Sequence, residues 1–525
     1  MKKLLRYKQN LDFFLNLIDS RLNTHDYLGA LDGARRALSN SKSRIDNDSL
    51  NLIIGQIYFE MGLHTLSCEH FFRAISIKET SASALLGISM NLIKLKKYPL
   101  ALEYLESCSL TPSNVDFSQV IEHYINIISD NIYHHHSPTT VEIAKSLISK
   151  KFYSEAIDLI TSSSKFDNET QLLLASAYIK ANQTEAAREI IFRILHQNPS
   201  DISASLSLCD LCYSLHDYPN LVTILQKFDT IPLNFNQYVT ISRYYFTLQN
   251  WNKAIHFLLA AHECNPYNAT VLYYISLCYL NQNNKREAIY YLSQAKWIDI
   301  ENPLLNAMLD AITQDLIIPP VEIQFSLPQN VSNQKIDYIE SSLNSNFCKI
   351  YQTSLWLEND IDWYLSFHEK NSEKIVNCLS NCKQKKSVKH YKRLLLTARL
   401  HLKQKFILLK HAFLSHNISK ISFTTNFRYK TVKNHLPKQL KTANQVLQNG
   451  FINALCYSII FGLDFSKSKF NQISLSPQLD ENICACLYFA DSPHLDNICR
   501  FFKVEPSSVL STWQQISKGE NNENS

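Results

Sequence analysis

The sequence predicts an all-α solenoid followed by a second helical region, and three observations carry that prediction. Small residues recur in phase about every 34 positions. Upstream of several of them lies an amphipathic stretch with a large residue, a small one, then Tyr three later. Glycine is scarce, at 8 in 525 residues, with none between Gly87 and Gly450. A period near 34 marks stacked helical hairpins. The glycine gap argues against phosphate-cradling loops and dinucleotide folds, which need positive φ or close backbone approach.

The phase is set by Ala30, Ser67, Ala101, Ala156, Ala187, Leu221, Ala254 and Ala288, separated by 37, 34, 55, 31, 34, 33 and 34 residues. The interval of 55 has room for an extra helix over 117–130, FSQVIEHYINIISD. In each unit this residue opens a helix whose small face nests against its neighbours. The preceding helix shows Ile54-Gly55 with Tyr58, Leu174-Ala175 with Tyr178, Ile241-Ser242 with Tyr245, and Ile275-Ser276 with Tyr279. These fall on one face of a 3.6-residue period. Trp251 is expected to cap the turn between two helices. Asn265-Pro266 ends a unit, because Pro disfavours helix for the residue before it. With glycine this scarce, Asn, Ser, Asp and Pro must make most of the junctions.

These residues resemble the tetratricopeptide repeat (TPR) family over about residues 8–316, in roughly eight units. Ser67 and Leu221 depart from the family's usual Ala, and Asn51 and Val271 stand where its first helix often has Trp. The segment 302–316 is expected to cap the array. The resemblance implies a superhelix whose concave face, lined by first helices, binds a peptide or helix of a partner. Phasing the units places Leu206, Asp210, Tyr213, Val239, Arg243, Phe246, Tyr273, Leu277 and Leu280 on that face. It is largely apolar and aromatic, with one acid and one base, so an apolar helix or extended segment is the expected partner. The competing reading, at even weight for any single residue, is that these side chains pack between neighbouring helices.

Composition sets further bounds. The 13 cysteines are odd in number and scattered through helical patterns, which predicts cytoplasmic thiols rather than a disulfide framework. The N-terminus has no signal-peptide core. The longest apolar run, 454–463, is about half the roughly 20 residues of a membrane span. The expected protein is cytoplasmic, with its oligomeric state open.

The second half changes character. Three prolines within 317–334 read as a linker, and 335–480 reads as a basic helical domain. Between Lys374 and Leu463 there are 17 Lys and Arg and no Asp or Glu, leaving 35 bases against 47 acids elsewhere. That asymmetry predicts either an anionic partner or an acidic face of the chain itself. The run from Lys389 to His411 has leucines at helical spacing and reads as a basic amphipathic helix.

Residues 481–517 form the last unit, and 518–525 a disordered tail. Within it, 494–517 resembles a helix-turn-helix unit of DNA-binding regulators. Cys499 stands where such motifs have a small residue, and Val504 and Val509 at apolar positions. Leu510 and Trp513 join Val509 on the second helix face. Lys503 stands where glycine is usual, a departure from the motif at its tight turn. On this resemblance Ser507, Ser508, Ser511 and Gln514 would face a groove. Phosphate contacts would come from Lys385, Lys386, Lys389, Lys392, Arg393 and Lys503. The exposed face has little Arg or Asn to read bases, so a structural end is favoured over nucleic acid.

Cys209 and Cys212 have metal-site spacing but no second pair, Cys378 and Cys382 lie one turn apart, and Cys484 and Cys486 lack a His partner. His134, His135 and His136 precede a Ser-Pro loop signal. None of these predicts a metal or cofactor site, and no catalytic constellation emerges, so an enzyme is the least favoured class. The favoured function is a protein-interaction scaffold, whose C-terminal half positions the partner or binds a second one. The alternative is a nucleic-acid-binding regulator with the repeats as sensor.

Overall fold

The computed structural model describes residues 2–41, 44–78, 81–112, 116–134, 140–163, 167–315, 339–343, 347–353, 357–367, 372–382, 385–397, 400–414, 420–433, 445–463, 473 and 480–523. The expected linker at 317–334 and His135 and His136 lie outside them. The described chain is all-α apart from one hairpin of strands.

Eight helical hairpins follow one another. They are α1 (Lys2–Asn23) with α2 (Tyr27–Asn40), α3 (Arg44–Glu60) with α4 (His64–Ile77), and α5 (Ala82–Lys94) with α6 (Tyr98–Ser109). After α7 (Ser118–His134) come α8 (Thr140–Ser149) with α9 (Tyr153–Thr161), α10 (Asn168–Lys180) with α11 (Thr184–Gln197), and α12 (Ile202–Ser214) with α13 (Tyr218–Gln226). Then come α14 (Phe235–Thr247) with α15 (Trp251–Cys264), α16 (Ala269–Asn281) with α17 (Lys285–Ile298), and finally α18 (Pro303–Thr313).

Each hairpin turns the same way. One residue takes the left-handed conformation, five positions before the in-phase small residue: His25, Gly62, Lys96, Lys151, Asn182, His216, Gln249 and Asn283, all at φ between 52° and 72°. Its N–H and that of the next residue bond back to the first helix, as in Asn283 N to Leu280 O and Asn284 N to Tyr279 O, both 2.9 Å. Those bonds satisfy carbonyls that a helix end leaves open. The next residue starts the second helix, and where it is Asp26, Asp217, Asn250 or Asn284 its side chain accepts an N-terminal N–H. Asn250 therefore does the capping expected of Trp251, which is the first helical residue.

The small residues are interior. Ala30, Ala101, Ala156, Ala187, Ala254 and Ala288 have no exposed surface, nor has Leu221. Ser67 is accommodated by hydrogen bonds, donating to Gly55 O at 2.7 Å and accepting from Asn91 Nδ2 at 2.8 Å. The tyrosine of the first helix meets the residue three beyond the small one. Tyr58 packs on His70, Tyr245 stacks on Phe257 and Tyr279 on Tyr291, all with ring centroids 5.5 Å apart.

Two compact units emerge, residues 115–331 as one and residues 1–114 together with 332–525 as the other. The division falls within the expected 8–316 array, at the long interval that α7 occupies. The first three hairpins thus share a unit with the C-terminal region. That region holds α19 (Phe347–Thr353), α20 (Leu357–Phe367), α21 (Ser372–Asn381), α22 (Lys385–Leu396), α23 (Leu402–Leu414), β1 (Lys420–Thr425), β2 (Arg428–Lys433), α24 (Gln445–Phe461), α25 (Glu481–Leu487), α26 (Leu495–Phe502) and α27 (Pro506–Glu523).

Several expectations are corrected here. The basic run is two helices, α22 and α23, rather than one. The expected basic helical domain contains an antiparallel hairpin, Lys420 opposite Lys433, closed by Asn426 and Phe427, both at positive φ. Alternating Ile421 and Phe423 are buried, and Thr424, Thr425, Tyr429, Thr431 and Val432 add β-branched and aromatic residues that favour a strand. Cys348 and Cys382 form a disulfide with Cα atoms 5.5 Å apart, so the thiols are not all free. Helix α27 runs to Glu523 through most of the expected disordered tail. Helix α18, expected as a cap, buries Pro303–Ala307, Met308 and Asp310–Ile312, leaving little of the polar outer face a cap shows.

Two glycine substitutions separate conformation from space. Gly62 sits at φ +72° with open space around its Cα, whereas a Cβ on Gly87 would come within 2.5 Å of the Phe71 ring. Gly62→Ala is expected to cost about 1 kcal/mol in urea unfolding, from backbone strain alone. Gly87→Ala is expected to cost about 1–3 kcal/mol through overpacking. Equal effects would contradict this account of the two sites.

Candidate partner-binding groove

Within residues 115–331 the first three hairpins pack through their first helices. Helix α8 lies on α10 and α10 on α12, while no successive pair of second helices packs as closely. In the other unit α3 lies on α5 in the same manner. Within 115–331, beyond α12, the first helices meet through side chains, Tyr244 of α14 with Asp210 of α12 and Tyr274 of α16 with Phe246 of α14.

The nominated residues divide into two groups. Asp210 is exposed, and Leu206, Tyr213, Val239 and Arg243 are partly accessible. Phe246, Tyr273, Leu277 and Leu280 are buried, with Tyr273 and Leu277 wholly so. Phe246 packs on Tyr274 at 5.7 Å, and Tyr274 on Tyr273 at 5.9 Å. For these four the packing alternative describes the structure. Among the described residues nothing hydrogen-bonds the buried Tyr273 hydroxyl, and burial pushes its pKa well up.

Asp210 anchors the accessible part. Tyr244, on the next first helix, donates from Oη to Asp210 Oδ1 at 2.6 Å. Tyr213 and Tyr244 have ring centroids 6.4 Å apart. The surrounding protein desolvates the Asp210 carboxyl and raises its pKa, against the opposing effects of the Tyr244 hydrogen bond and the Lys180 charge. Burial, then the charge of Asp210, raises the Tyr244 hydroxyl. Tyr244 was not nominated from the sequence; it stands next to Arg243, which is the α14 counterpart of Asp210. The α12 thiols of Cys209 and Cys212 are buried core, and burial raises both pKa values.

Several cations of the basic region have partners inside their own unit. Arg393 bonds Asp362 Oδ2 at 2.5 Å, and the buried His390 bonds Asp362 Oδ1 and Tyr351 Oη. Burial would raise the Asp362 carboxyl, but His390 and Arg393 outweigh it and hold its pKa below the usual range. Lys405 is buried, its Nζ donating to Thr424 O at 2.5 Å and Thr424 Oγ1 at 3.0 Å. Desolvation pushes its pKa down to about 8, against the field of Glu69 on α4. Lys410 pairs with Glu481 at 2.7 Å, and Arg428 with Glu103 of α6 at 2.6 Å. Lys430 donates to Ile459 O at 2.9 Å.

The strand hairpin is fixed to the repeats beside these pairs. Tyr104 Oη donates to Phe427 O and accepts from Tyr429 N, both at 2.9 Å, and Tyr429 stacks on Phe72 with centroids 6.3 Å apart. The acids that answer the basic region are thus partly those of the repeats.

Of the nominated nucleic-acid contacts, Lys389 and Lys392 are exposed on α22, Arg393 is committed to Asp362, and the side chains of Lys385 and Lys386 lie outside the described residues. Lys503 takes φ 57° and makes the turn that glycine usually makes, with Val504 N bonded to Cys499 O at 2.9 Å. Ser507, Ser508, Ser511 and Gln514 are all exposed on α27. Val509 is buried, but Leu510 is 43% exposed, so it does not join the apolar face expected of it. The acids Asp496 and Glu505 stand exposed close to Arg500 and Lys503. Among the described residues no cluster of three or more His, Cys, Asp or Glu is placed to hold a metal, and no helix is long and apolar enough to cross a membrane.

A family model described as tetratricopeptide repeat matches residues 270–297, which span α16 and most of α17. The chain carries tetratricopeptide repeats. A comparison with curated proteins finds no match. Among solved structures, MamA AMB-1 is 22% identical, covering 31% of this chain and 90% of that one at a TM-score of 0.25. A thermophilic TPR protein of Thermus thermophilus is 15% identical, covering 33% and 97% at 0.28. A tetratricopeptide repeat protein from Parabacteroides merdae is 13% identical, covering 58% and 99% at 0.24. The family assignment rests on the matched repeat and the in-phase hairpins. TPR proteins are in general protein-interaction scaffolds, and the chain is of that kind.

Tyr273→Ala is expected to lower stability by about 3–5 kcal/mol in urea unfolding, as for a buried large side chain. A loss below about 1 kcal/mol, the ordinary effect of a surface substitution, would return Tyr273 to the groove.

Proposed function

We propose that the chain holds a peptide or helix of a protein partner on the inner face formed by α12 and α14, with the C-terminal region positioning it or engaging a second partner. The observation that carries this reading is the contrast along the first helices. Leu206, Asp210, Tyr213, Val239 and Arg243 stay accessible, while Phe246, Tyr273, Leu277 and Leu280 are buried. A mixed apolar and polar face that the fold leaves uncovered suits a peptide in a groove. We place the protein in the cytoplasm, since eleven of its cysteines are free thiols and most of those are buried.

The nucleic-acid alternative draws less support. Arg393, Lys405, Lys410, Arg428 and Lys430 are spent on partners within the chain. Acids also interrupt the surface around the α26–α27 turn, which weakens the phosphate attraction such binding relies on.

Random peptides displayed on phage and selected on the full chain test the groove. Peptides are expected whose affinity falls at least about tenfold in the Tyr213→Ala, Arg243→Ala double variant, with the thermal midpoint little changed, as for a loss of contact residues. If every selected peptide binds the variant as it binds the parent, the inner face of α12 and α14 is not the site.

A further inference from the structure

The Asp210 carboxylate is held in a way that packing alone does not require. Tyr244 is buried and its hydroxyl needs one acceptor, which a side-chain amide or a water would supply without desolvating a charge. The chain supplies a carboxylate instead. Tyr244 Oη occupies Oδ1 at 2.6 Å, and among the described residues nothing hydrogen-bonds Oδ2. The Asp210 residue as a whole remains exposed, although the surrounding protein partly desolvates its carboxyl. The Tyr213 and Tyr244 rings, 6.4 Å apart and inclined at 55°, stand beside it. A fixed carboxylate with aromatic rings at its side attracts a cation by both charge and ring quadrupole. Within the chain, exposed Lys180 acts on this carboxylate only through its field, and the net effect of the surroundings still disfavours the charge. A cation from outside would restore what desolvation removes. Leu206 and Val239, both partly accessible, occupy the same position of α12 and α14 and offer apolar contacts on either side.

We propose that Asp210, framed by Tyr213 and Tyr244, receives a Lys or Arg side chain of the bound peptide, so the partner segment is apolar with one basic residue at this register. This rests on the groove reading above and adds the chemistry of its occupant. The ion pair forms at Oδ2 while Tyr244 keeps Oδ1 oriented, and the aliphatic stem of the basic side chain lies along the tyrosine rings.

The peptides selected on the full chain provide the test, sorted by whether they depend on Tyr213 and Arg243. The dependent peptides are expected to share Lys or Arg at one aligned position. Replacing that residue by norleucine, or Asp210 by Asn in the protein, is expected to weaken binding by about tenfold or more, as for a partly buried charge pair. Asp210→Asn keeps an acceptor for Tyr244, so an unchanged thermal midpoint and helical circular dichroism establish that the fold is intact. In the Asp210→Asn variant the norleucine substitution should have no further effect. Groove-dependent peptides that lack a basic residue, or that bind Asp210→Asn within about twofold of the parent, overturn this inference and leave the groove reading standing. If no selected peptide depends on Tyr213 and Arg243, both fall.

Discussion

Every hairpin of the array has to reverse direction in two residues and bring its second helix into contact with its first. The left-handed residue and the buried residue five positions later, small in seven of the eight hairpins and Leu221 in the other, impose that constraint together. The first closes the open carbonyls of one helix and aims the next. The second lets two backbones approach to a distance that a larger side chain would prevent. Glycine would make the turn at lower conformational cost, yet only Gly62 does so, and Lys96, Lys151 and Gln249 accept the left-handed region instead. That cost, about 1 kcal/mol per residue, persists because packing on both sides over-determines the turn. The inner face of the array follows from this geometry, since stacking through the first helices sets which side chains remain accessible.

The C-terminal region solves a different problem. A stretch of 17 cations without an acid cannot be packed unless its charges find partners, because an unpaired buried charge costs several kcal/mol. Asp362, Glu481, Glu69 and Glu103 provide them, and the last two belong to the first repeats. The hairpin of β1 and β2, held by Tyr104 and Phe72, completes the seam. At Arg393, Lys410 and Arg428 the charge asymmetry of the sequence is an internal complementarity.

The repeat was legible because it depends on local rules. Periodic small residues, first-helix tyrosines and Asn or Asp caps each leave a mark at a fixed spacing. Ser67 shows how a departure is absorbed once its hydroxyl finds Gly55 O and Asn91. The hairpin of strands was hidden by its basic composition, although Ile421 and Phe423 alternate as a strand should. The pairing of Cys348 with Cys382 depends on tertiary proximity, to which spacing is blind. The groove was legible only in part. Helical phase placed Asp210 and Tyr273 at neighbouring positions of the repeat, but burial separates them, and burial depends on what the rest of the chain covers. Tyr244 lies one residue out of phase with Asp210, so periodicity alone gave no signal for it, and its bond appears only when adjacent first helices are laid side by side.

The shared interior of neighbouring hairpins is tested most directly at two adjacent alanines of α11. Ala187 has no exposed surface, while Ala186 is partly accessible. Urea unfolding of Ala187→Leu and Ala186→Leu compares the same added volume on two faces of one helix. A loss of about 1–3 kcal/mol at 187 with less than about 0.5 kcal/mol at 186 is the predicted outcome. Equal effects, or a larger loss at 186, would contradict the stacked-hairpin account.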